Sequence, residues 1–198
     1  MARIVLATLG SLGDLHPMMG LAIELEARGH SVVLASSRHH HAYIAAAGLA
    51  HAPLRPHLDP SDPELLAAVL DRKGGPERLH REFIFPAIKD SLSDLMDVLQ
   101  GADLLVAGCL VYAAATASEL SGVPLTSALL SPLMLWAPDD PPVLAPIPWL
   151  GRMCGLGPGI HGWLLQQMRR VSSGWAEPLR ELRRAHGLDD GLDPFSDG

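Results

Sequence analysis

The most constraining feature of this 198-residue sequence is one pattern that occurs four times. A helix-like segment meets a glycine, and an apolar, β-rich run follows, as in "EARGHSVVLAS", "AAAGLAHAPL", "VLQGADLLVAG" and "ELSGVPLTSALL". Gly29, Gly48, Gly101 and Gly122 fit the position just after a helix, where a positive φ costs glycine least. The apolar runs are continuous, as expected of strands covered on both faces. The pattern therefore predicts an α/β fold, with a parallel sheet and crossover helices on both faces.

The same pattern places the individual elements. The predicted strands are Arg3–Thr8, Ser31–Ser36, Ala50–Leu54, Asp103–Gly108 and Pro124–Leu130. The predicted helices are His16–Arg28, Arg38–Ala47, a segment ending near Gln100, Tyr112–Ser121 and Ile160–His186. A proline-rich loop is predicted from Ser131 to Pro158. The tail "GLDDGLDPFSDG" is predicted to be an exposed connection, and we expect further sequence to follow it in the complete protein.

The glycine-rich stretch "TLGSLGDLHP" separates the first predicted strand from the first helix. In a parallel α/β sheet, ligands bind at the carboxyl ends of the strands, beside this turn. Gly10 and Gly13 allow close approach of a ligand to the backbone, and amides at a helix start favour a negative group. The alternative is a tight turn that binds nothing, with Asp14 only capping the helix and Pro17 in its first turn.

Dinucleotide binding is the main rival function for this turn. The glycines have the spacing G-x-x-G instead of G-x-G-x-x-G, and "SSRHHH" replaces the usual ribose-binding acid after the second strand. Ser37 and Arg38 are suited to a 2′-phosphate, so NADP stays open. A Walker loop is excluded because no G-K-[ST] follows.

The composition of the chain indicates which binding partners and which cellular compartment to expect. The net charge of −7 argues against nucleic-acid binding, which needs a basic face. Two cysteines, Cys109 and Cys154, make no disulfide framework, and a reducing cytoplasm is the simplest location. The apolar stretch "LTSALLSPLMLWAP" falls short of the ~20 apolar residues of a spanning helix. We expect a soluble protein, with peripheral membrane contact left open.

Three consecutive histidines in "SRHHHAYI" suggest a metal site at first sight. Consecutive helical residues point in different directions, since only positions i and i+3 or i+4 share a face. A solvated helix start is therefore the favoured interpretation, and no metal is expected.

The opening "GSLGDLHPMMGLAIELEARGHSVVLAS" resembles that of the GT-B glycosyltransferases that modify sterols and glycopeptide antibiotics or make rhamnolipids. Their hallmark is a G-S-x-G-D-x-x-P turn, followed by a helix with L-A-x-x-L and then R-G-H. The matching residues are Gly10, Ser11, Gly13, Asp14, Pro17, Leu21, Ala22, Leu25, Arg28, Gly29 and His30. Weaker similarity continues through "GLAHAPL", "ADLLVAG" and "SGVPLTSALLSP".

The resemblance implies a Rossmann-like half of a two-domain enzyme, with residues 1–198 as its acceptor-binding N-terminal domain. The signature of the nucleotide-sugar-binding C-terminal domain, a histidine followed by two glycines, is absent, and "GIHGW" does not match it. The implied enzyme is an inverting glycosyltransferase that moves a sugar from a nucleotide sugar to a hydroxyl of a lipid, sterol or natural-product aglycone. The nucleotide sugar is a co-substrate, and no cofactor is expected. We expect the chain alone to be inactive, and to self-associate through the apolar face that the missing domain would cover.

The resemblance also assigns roles to the first turn. Asp14 is the candidate base that takes the proton of the acceptor hydroxyl, and Gly10, Ser11 and Gly13 form the turn near the donor phosphates. Many relatives carry a histidine at the position of Asp14, oriented by an acid after the fourth strand, but here that strand ends in Gly108–Cys109. A carboxylate needs no partner to fix its tautomer. The aspartate at position 14 and the missing acid after the fourth strand are therefore consistent with each other. His16 is the alternative base.

Apolar side chains in the family's acceptor regions are the candidate acceptor-binding residues. They are Met18, Phe83, Phe85, Met134 and Trp136. Apolar pockets with a few polar groups suit lipid or aglycone ligands, although any one of these side chains could instead belong to the core. Two hypotheses remain: a glycosyltransferase acceptor domain, and an NADP- or small-molecule-binding Rossmann module without transferase activity.

Overall fold

A computed structural model describes residues 1–71, 74–131 and 157–191 and contains a five-stranded sheet. The strands are β1 (Arg3–Ala7), β2 (Ser31–Ser36), β3 (Ala50–Pro53), β4 (Leu104–Gly108) and β5 (Leu125–Ala128). They are ordered β3-β2-β1-β4-β5, and every neighbouring pair is parallel. The predicted parallel Rossmann-like sheet is confirmed.

Helices and helical turns connect the strands. The α-helices are α1 (Leu12–Ala27), α2 (His41–Ala46), α3 (Pro63–Leu70), α4 (Gly75–Arg78), α5 (Ile88–Val98), α6 (Ala114–Ser121), α7 (Pro158–Ser173) and α8 (Glu177–Ala185). The remaining helical turns are 3-10 turns at Arg38–His40, Phe85–Ala87 and Gly174–Ala176, and a π-helical turn at Leu79–Ile84. No helix in the described part of the chain is long and apolar enough to cross a membrane.

Two apolar layers cover the two faces of the sheet. Val5 and Ala7 of β1 join one layer, together with buried residues of α5, α6 and α8. Ile4 and Leu6 join the other, which includes buried residues of α1 and α2. Successive side chains of a strand point to opposite faces, so both faces of the central strand are covered. The continuous apolar runs thus arise from double-sided burial.

The four glycines of the repeated pattern have the predicted left-handed backbone. Their φ angles are 86° at Gly29, 77° at Gly48, 70° at Gly101 and 74° at Gly122. Each glycine lies between a helix and the next strand, which is where a helix commonly ends through a residue of positive φ.

The first helix begins four residues earlier than predicted, at Leu12 instead of His16. Ser11 is its N-cap, and Asp14 completes a reciprocal capping box. Pro17 consequently lies inside the helix, not in its first turn. The capping bonds of Ser11 start the helix within the glycine-rich stretch itself.

Two other predicted elements are shorter or divided. β5 ends at Ala128, paired with Gly108 at the end of β4, so the predicted strand loses its last residues. The predicted helix from Ile160 to His186 is two helices separated by a 3-10 turn. Pro178 explains the break, because it has no N–H for helical bonding to residue 174. Of the predicted proline-rich loop, residues 132–156 lie outside the described residues.

The last helix is fixed to the domain by Arg183, whose side chain is only 3% exposed. Its guanidinium donates to both carboxylate oxygens of Glu119, at 2.9 and 3.1 Å, and to Thr116 Oγ1 at 3.4 Å. Bidentate pairs of this kind are strong and directional. They attach α8 to α6 and complete the apolar layer on that side of the sheet.

Candidate active site

The order in which the strands are added reverses at the centre of the sheet, between β1 and β4. β1 and β4 are neighbours, but β1 leads into α1 on one face while β4 leads into α6 on the other. In open parallel sheets, the crevice beyond the carboxyl ends of two such strands is the usual ligand site. The stretches 10–14 and 109–112 follow these strands and meet there.

The turn after β1 is held by bonds within itself. Asp14 Oδ2 accepts hydrogen bonds from the amide of Ser11 at 2.8 Å and from its hydroxyl at 3.1 Å. Ser11 Oγ in turn accepts from the amide of Gly13 at 3.1 Å. The carboxylate of Asp14 is therefore oriented by its own turn. The Ser11 and Gly13 amides are engaged inside the turn, so a phosphate would have to exchange these bonds, and the donor-phosphate role stays a prediction.

Gly10 makes room for that carboxylate. Its φ is 121°, and a Cβ atom added there would lie 2.4 Å from Asp14 Oδ2 and 3.5 Å from Leu110 Cδ1. Real Cβ atoms do not approach a side chain at 2.4 Å. A side chain at position 10 would displace the carboxylate or the loop that follows β4, so this glycine is required both by its backbone angle and by its neighbours.

Cys109 lies opposite Asp14 in the loop that follows β4. Burial and the negative charge of Asp14 both raise the pKa of the Cys109 thiol above its usual value of 9.0. The thiol is therefore protonated at neutral pH.

His16 points towards α2. Its Nε2 is hydrogen-bonded to the hydroxyl of Tyr43 at 3.0 Å, with the ring centroids 5.4 Å apart. Both side chains are exposed. The alternative base is thus engaged with the second helix, whereas Asp14 is held by the turn itself.

The candidate acceptor-binding residues differ in how far they are buried. Met18 and Phe85 are each 1% exposed and belong to opposite apolar layers. Phe83 is half-buried. Met134 and Trp136 lie outside the described residues. The acceptor-binding role of all five stays a prediction, and Met18 and Phe85 have a packing role in the domain as it stands.

An aromatic cluster that sequence reasoning missed lies beside the loop after β4. Its members are His80, Phe85, Tyr112 and Trp175. The His80 ring lies 5.9, 5.5 and 5.8 Å, centroid to centroid, from the other three rings in that order. These residues come from segments far apart in the chain, so no local pattern reveals them. The π-helical turn Leu79–Ile84, of a kind frequent at functional sites, could not be read from the sequence.

The imidazole of His80 is held at both nitrogens. Nδ1 is hydrogen-bonded to the carbonyl of Pro76, and Nε2 lies 2.8 Å from the hydroxyl of Tyr112. A carbonyl oxygen only accepts, so Nδ1 carries the proton and Tyr112 donates to Nε2. Burial lowers the pKa of His80, with the Pro76 bond acting in the opposite direction. The cluster therefore contains a neutral, oriented imidazole.

A groove of about 470 Å³ opens next to this cluster, between residues 81–89 and 174–181. Phe85, Ile88 and Trp175 contribute apolar wall, and Lys89 and Glu181 contribute opposite charges. Apolar walls with a few polar groups are typical of small-molecule sites. The groove therefore combines apolar and charged surface, as an amphipathic ligand requires.

The histidine triplet does not form a solvated helix start throughout. His40 is buried, His39 lies 3.8 Å from Asp59, and His41 faces His51. The three side chains do point in different directions, as predicted. Within the described residues, no group of three or more histidine, cysteine, aspartate or glutamate side chains is arranged to hold a metal ion.

Several solved structures with a similar fold are glycosyltransferases. SsfS6 from Streptomyces sp. SF2575 is 18% identical with a TM-score of 0.53, covering 77% of this chain and 44% of its own. The kitacinnamycin glycotransferase is 19% identical with a TM-score of 0.57, covering 99% and 43%. The calicheamicin glycosyltransferase CalG4 is 20% identical with a TM-score of 0.52, covering 65% and 32%. The fold is that of one half of a GT-B glycosyltransferase.

The family is shown by the sequence itself. The profile of the glycosyltransferase family 28 N-terminal domain matches residues 4–130, and the chain belongs to this family. No curated protein matches the sequence. The chain spans less than half the length of the solved glycosyltransferases it resembles.

Proposed function

We propose that this chain is the acceptor-binding half of an inverting glycosyltransferase. The complete enzyme would transfer a sugar from a nucleotide sugar to a hydroxyl of a hydrophobic acceptor. Family membership and the GT-B fold support a glycosyltransferase. They favour it over an NADP-binding module, as does the complete burial of the Ser37 side chain that would have met a 2′-phosphate.

The observation that carries the proposal is the position of Asp14 beyond the carboxyl end of β1, where the order of the strands reverses. Its Oδ2 is held by two bonds from Ser11. Within the described residues, no hydrogen bond to the other oxygen, Oδ1, is formed. A carboxylate with one oxygen fixed and the other available is suited to accept a proton from a hydroxyl placed in the crevice.

The proposed reaction is a single displacement. Asp14 Oδ1 accepts the proton of the acceptor hydroxyl while the hydroxyl oxygen forms a bond to the anomeric carbon of the sugar. The bond from that carbon to the leaving phosphate oxygen breaks, and the nucleoside diphosphate departs with the electron pair. Attack from the side opposite the leaving group inverts the anomeric configuration. A positioned base of this kind contributes about 10²–10⁴-fold in rate.

The acceptor is proposed to be apolar with a few polar groups. The groove beside the aromatic cluster supports this, because Pro86, Trp175 and Pro178 offer apolar surface there beside the charged Lys89 and Glu181. Such a surface suits an aglycone or a lipid better than a free sugar.

The donor half is proposed to lie across the crevice. Leu12, Leu129 and Leu130 are 47%, 44% and 40% exposed, and all three follow the carboxyl ends of strands. Apolar side chains in this position would be covered by a second domain, or would promote self-association in its absence. One solved structure of the similar SsfS6 is complexed with thymidine diphosphate, which supports a nucleotide sugar as donor.

The test is Asp14→Asn in the full-length enzyme. Activity is assayed by mass spectrometry against nucleotide hexoses and a panel of hydrophobic aglycones. We expect turnover to fall by at least ~10²-fold, about 3 kcal/mol of barrier. Asparagine retains an oxygen for the Ser11 amide, so the free energy of unfolding should change little. His16→Ala is the matched control and should retain most of the activity.

Near-normal turnover of Asp14→Asn would return Asp14 to a purely capping role. A large loss in His16→Ala alone would identify His16 as the base instead. The 198-residue chain without its donor half should turn over no nucleotide sugar. Turnover by this chain would contradict the proposal that the donor is bound by a second domain.

A further inference from the structure

The exit segment, residues 186–191, follows α8 and is largely exposed, yet it is folded back onto the helix. The amides of Gly187 and Leu188 donate to the carbonyls of Arg184 and Arg183, each at 3.0 Å. With a φ of 71° at Gly187, this is the hydrogen-bond pattern of a Schellman cap. The path of the chain is therefore fixed as far as Leu188 by backbone bonds alone.

Two arginine side chains hold the residues that come next. Arg183 donates from Nε to the carbonyl of Asp189, and Arg184 forms an ion pair with Asp190 at 3.4 Å. The Arg184 and Asp190 side chains are 51% and 42% exposed, so solvent screens their attraction and the pair contributes little. The Arg183 guanidinium is buried, where a charge-assisted hydrogen bond is stronger. Arg183 is therefore the main contact that fixes Asp189.

The same guanidinium also contacts the helix that leaves the candidate crevice. Its Nη atoms donate to the Glu119 carboxylate and to Thr116 Oγ1 of α6. α6 begins at Ala114, shortly after the stretch 109–112 that meets the Asp14 turn. One buried side chain thus connects the helix that follows the crevice with the point at which the chain leaves the domain.

We propose that Arg183 is a positioning residue for the transferase reaction, because it fixes the direction in which the chain leaves the acceptor-binding half. This inference rests on the proposed function, in which the chain continues into a donor-binding half. The attacking hydroxyl and the anomeric carbon are then held by different halves, and a misplacement of about 1 Å can cost about 10²-fold in rate. Arg183 touches neither substrate in this scheme and acts through the Asp189 backbone and α6.

Different atoms of Arg183 attach α8 and fix the exit segment, so the two roles can be separated by substitution. The Nη atoms bind α6, whereas Nε binds the carbonyl of Asp189. Arg183→Lys keeps a cation for Glu119, but a single ammonium nitrogen cannot also replace the Nε donor. Glu119→Gln is the matched control, because it removes the anion of the same ion pair and leaves the Nε donor in place.

The first test is amide hydrogen exchange in the 198-residue chain, which does not depend on transferase activity. We expect exchange from Leu188 to Gly191 to be at least ~10-fold faster in Arg183→Lys than in the parent, and unchanged in Glu119→Gln. Both substitutions weaken the same ion pair, so both should lower the melting temperature. Unchanged exchange in Arg183→Lys, or equal acceleration in both variants, would overturn the proposal.

The second test is steady-state kinetics of the full-length enzyme. Arg183→Lys should lower kcat about 10-fold and leave KM for the acceptor within about 2-fold, because no residue of the proposed acceptor groove is changed. Glu119→Gln should keep the kcat of the parent. Equal kcat in Arg183→Lys and an active parent would overturn the positioning role alone. A full-length parent without transferase activity would instead overturn the proposed function on which this role depends.

Discussion

The turn after β1 and the aromatic cluster beside β4 lie at the same edge of the sheet but are built in opposite ways. The turn is local: Ser11, Gly13 and Asp14 bond one another within four residues. The cluster joins His80, Tyr112 and Trp175, which are separated by tens of residues. The hydrogen bonds of the turn can form without distant segments, whereas the contacts of the cluster form only when three segments are already in place. The predictions below test this difference.

The largest effect is expected from His80→Ala. The substitution removes a buried ring that contacts three aromatic side chains, and it leaves the Tyr112 hydroxyl without its acceptor at Nε2. Large-to-small changes in a core cost about 2–5 kcal/mol. We expect a loss of about 2–4 kcal/mol in the free energy of unfolding, measured by urea denaturation. His39→Ala, at an exposed position, should cost less than about 0.5 kcal/mol. Equal costs would show that the cluster adds nothing to stability.

A smaller loss is expected from Gly10→Ala in the turn. The new methyl group would collide with Asp14 Oδ2 at a backbone angle that alanine disfavours, and strain of this kind costs about 1–3 kcal/mol. Gly20→Ala, in the helix that follows the turn and with no atom within 4 Å of the added Cβ, should be neutral or stabilising by up to about 1 kcal/mol. Thermal denaturation of both variants makes the comparison. Equal melting temperatures would mean that the carboxylate can move without cost.

The pH dependence of stability also distinguishes the turn from the cluster, because the turn contains a carboxylate and the cluster contains a neutral imidazole. Burial lowers the pKa of His80 from its ordinary 6.5. The stabilisation linked to the neutral ring is therefore complete above pH 6.5 and is lost as pH falls towards the folded-state pKa. One such group changes stability by at most about 1.4 kcal/mol per pH unit.

Urea denaturation at pH 7.5, 6.5 and 5.5 measures this dependence. His80→Phe should lose less stability on acidification than the parent chain does. Some dependence should remain in the variant, because burial also lowers the pKa values of His40, His51 and His57. Parallel curves for the two proteins would rule out His80 as a source of the acid sensitivity.

The smallest effect is expected from Ser11→Ala. Loss of an N-cap hydroxyl costs about 0.5–2 kcal/mol, and here the Ser11 amide can still donate to Asp14 Oδ2. We expect about 1 kcal/mol in the free energy of unfolding. Ser11→Asp restores a capping acceptor and should recover part of that stability, whereas Ser11→Val should not. A cost above that of His80→Ala would reverse the comparison between turn and cluster.

Several features of the candidate site could be predicted from the sequence because their causes are local. The sequence groups Gly10, Ser11, Gly13 and Asp14 in one stretch after the first strand, and in the structure this stretch forms the capped N-terminus of α1. Only the start of α1 differs, because Pro17 predicts a first-turn position whereas the capping bonds of Ser11 start the helix at Leu12. The catalytic role of Asp14 and the acceptor-binding residues stay predictions.

The sequence by itself determined the parallel sheet, the double-sided burial of its strands and the left-handed glycines between helix and strand. Each of these depends on residues that are neighbours along the chain, so periodicity and backbone preference suffice. Only the tertiary structure decided that His80 meets Tyr112 and Trp175, and that His41 meets His51. These contacts join distant segments. Their geometry is set by how helices pack on the two faces of the sheet, and no local pattern in the chain encodes it.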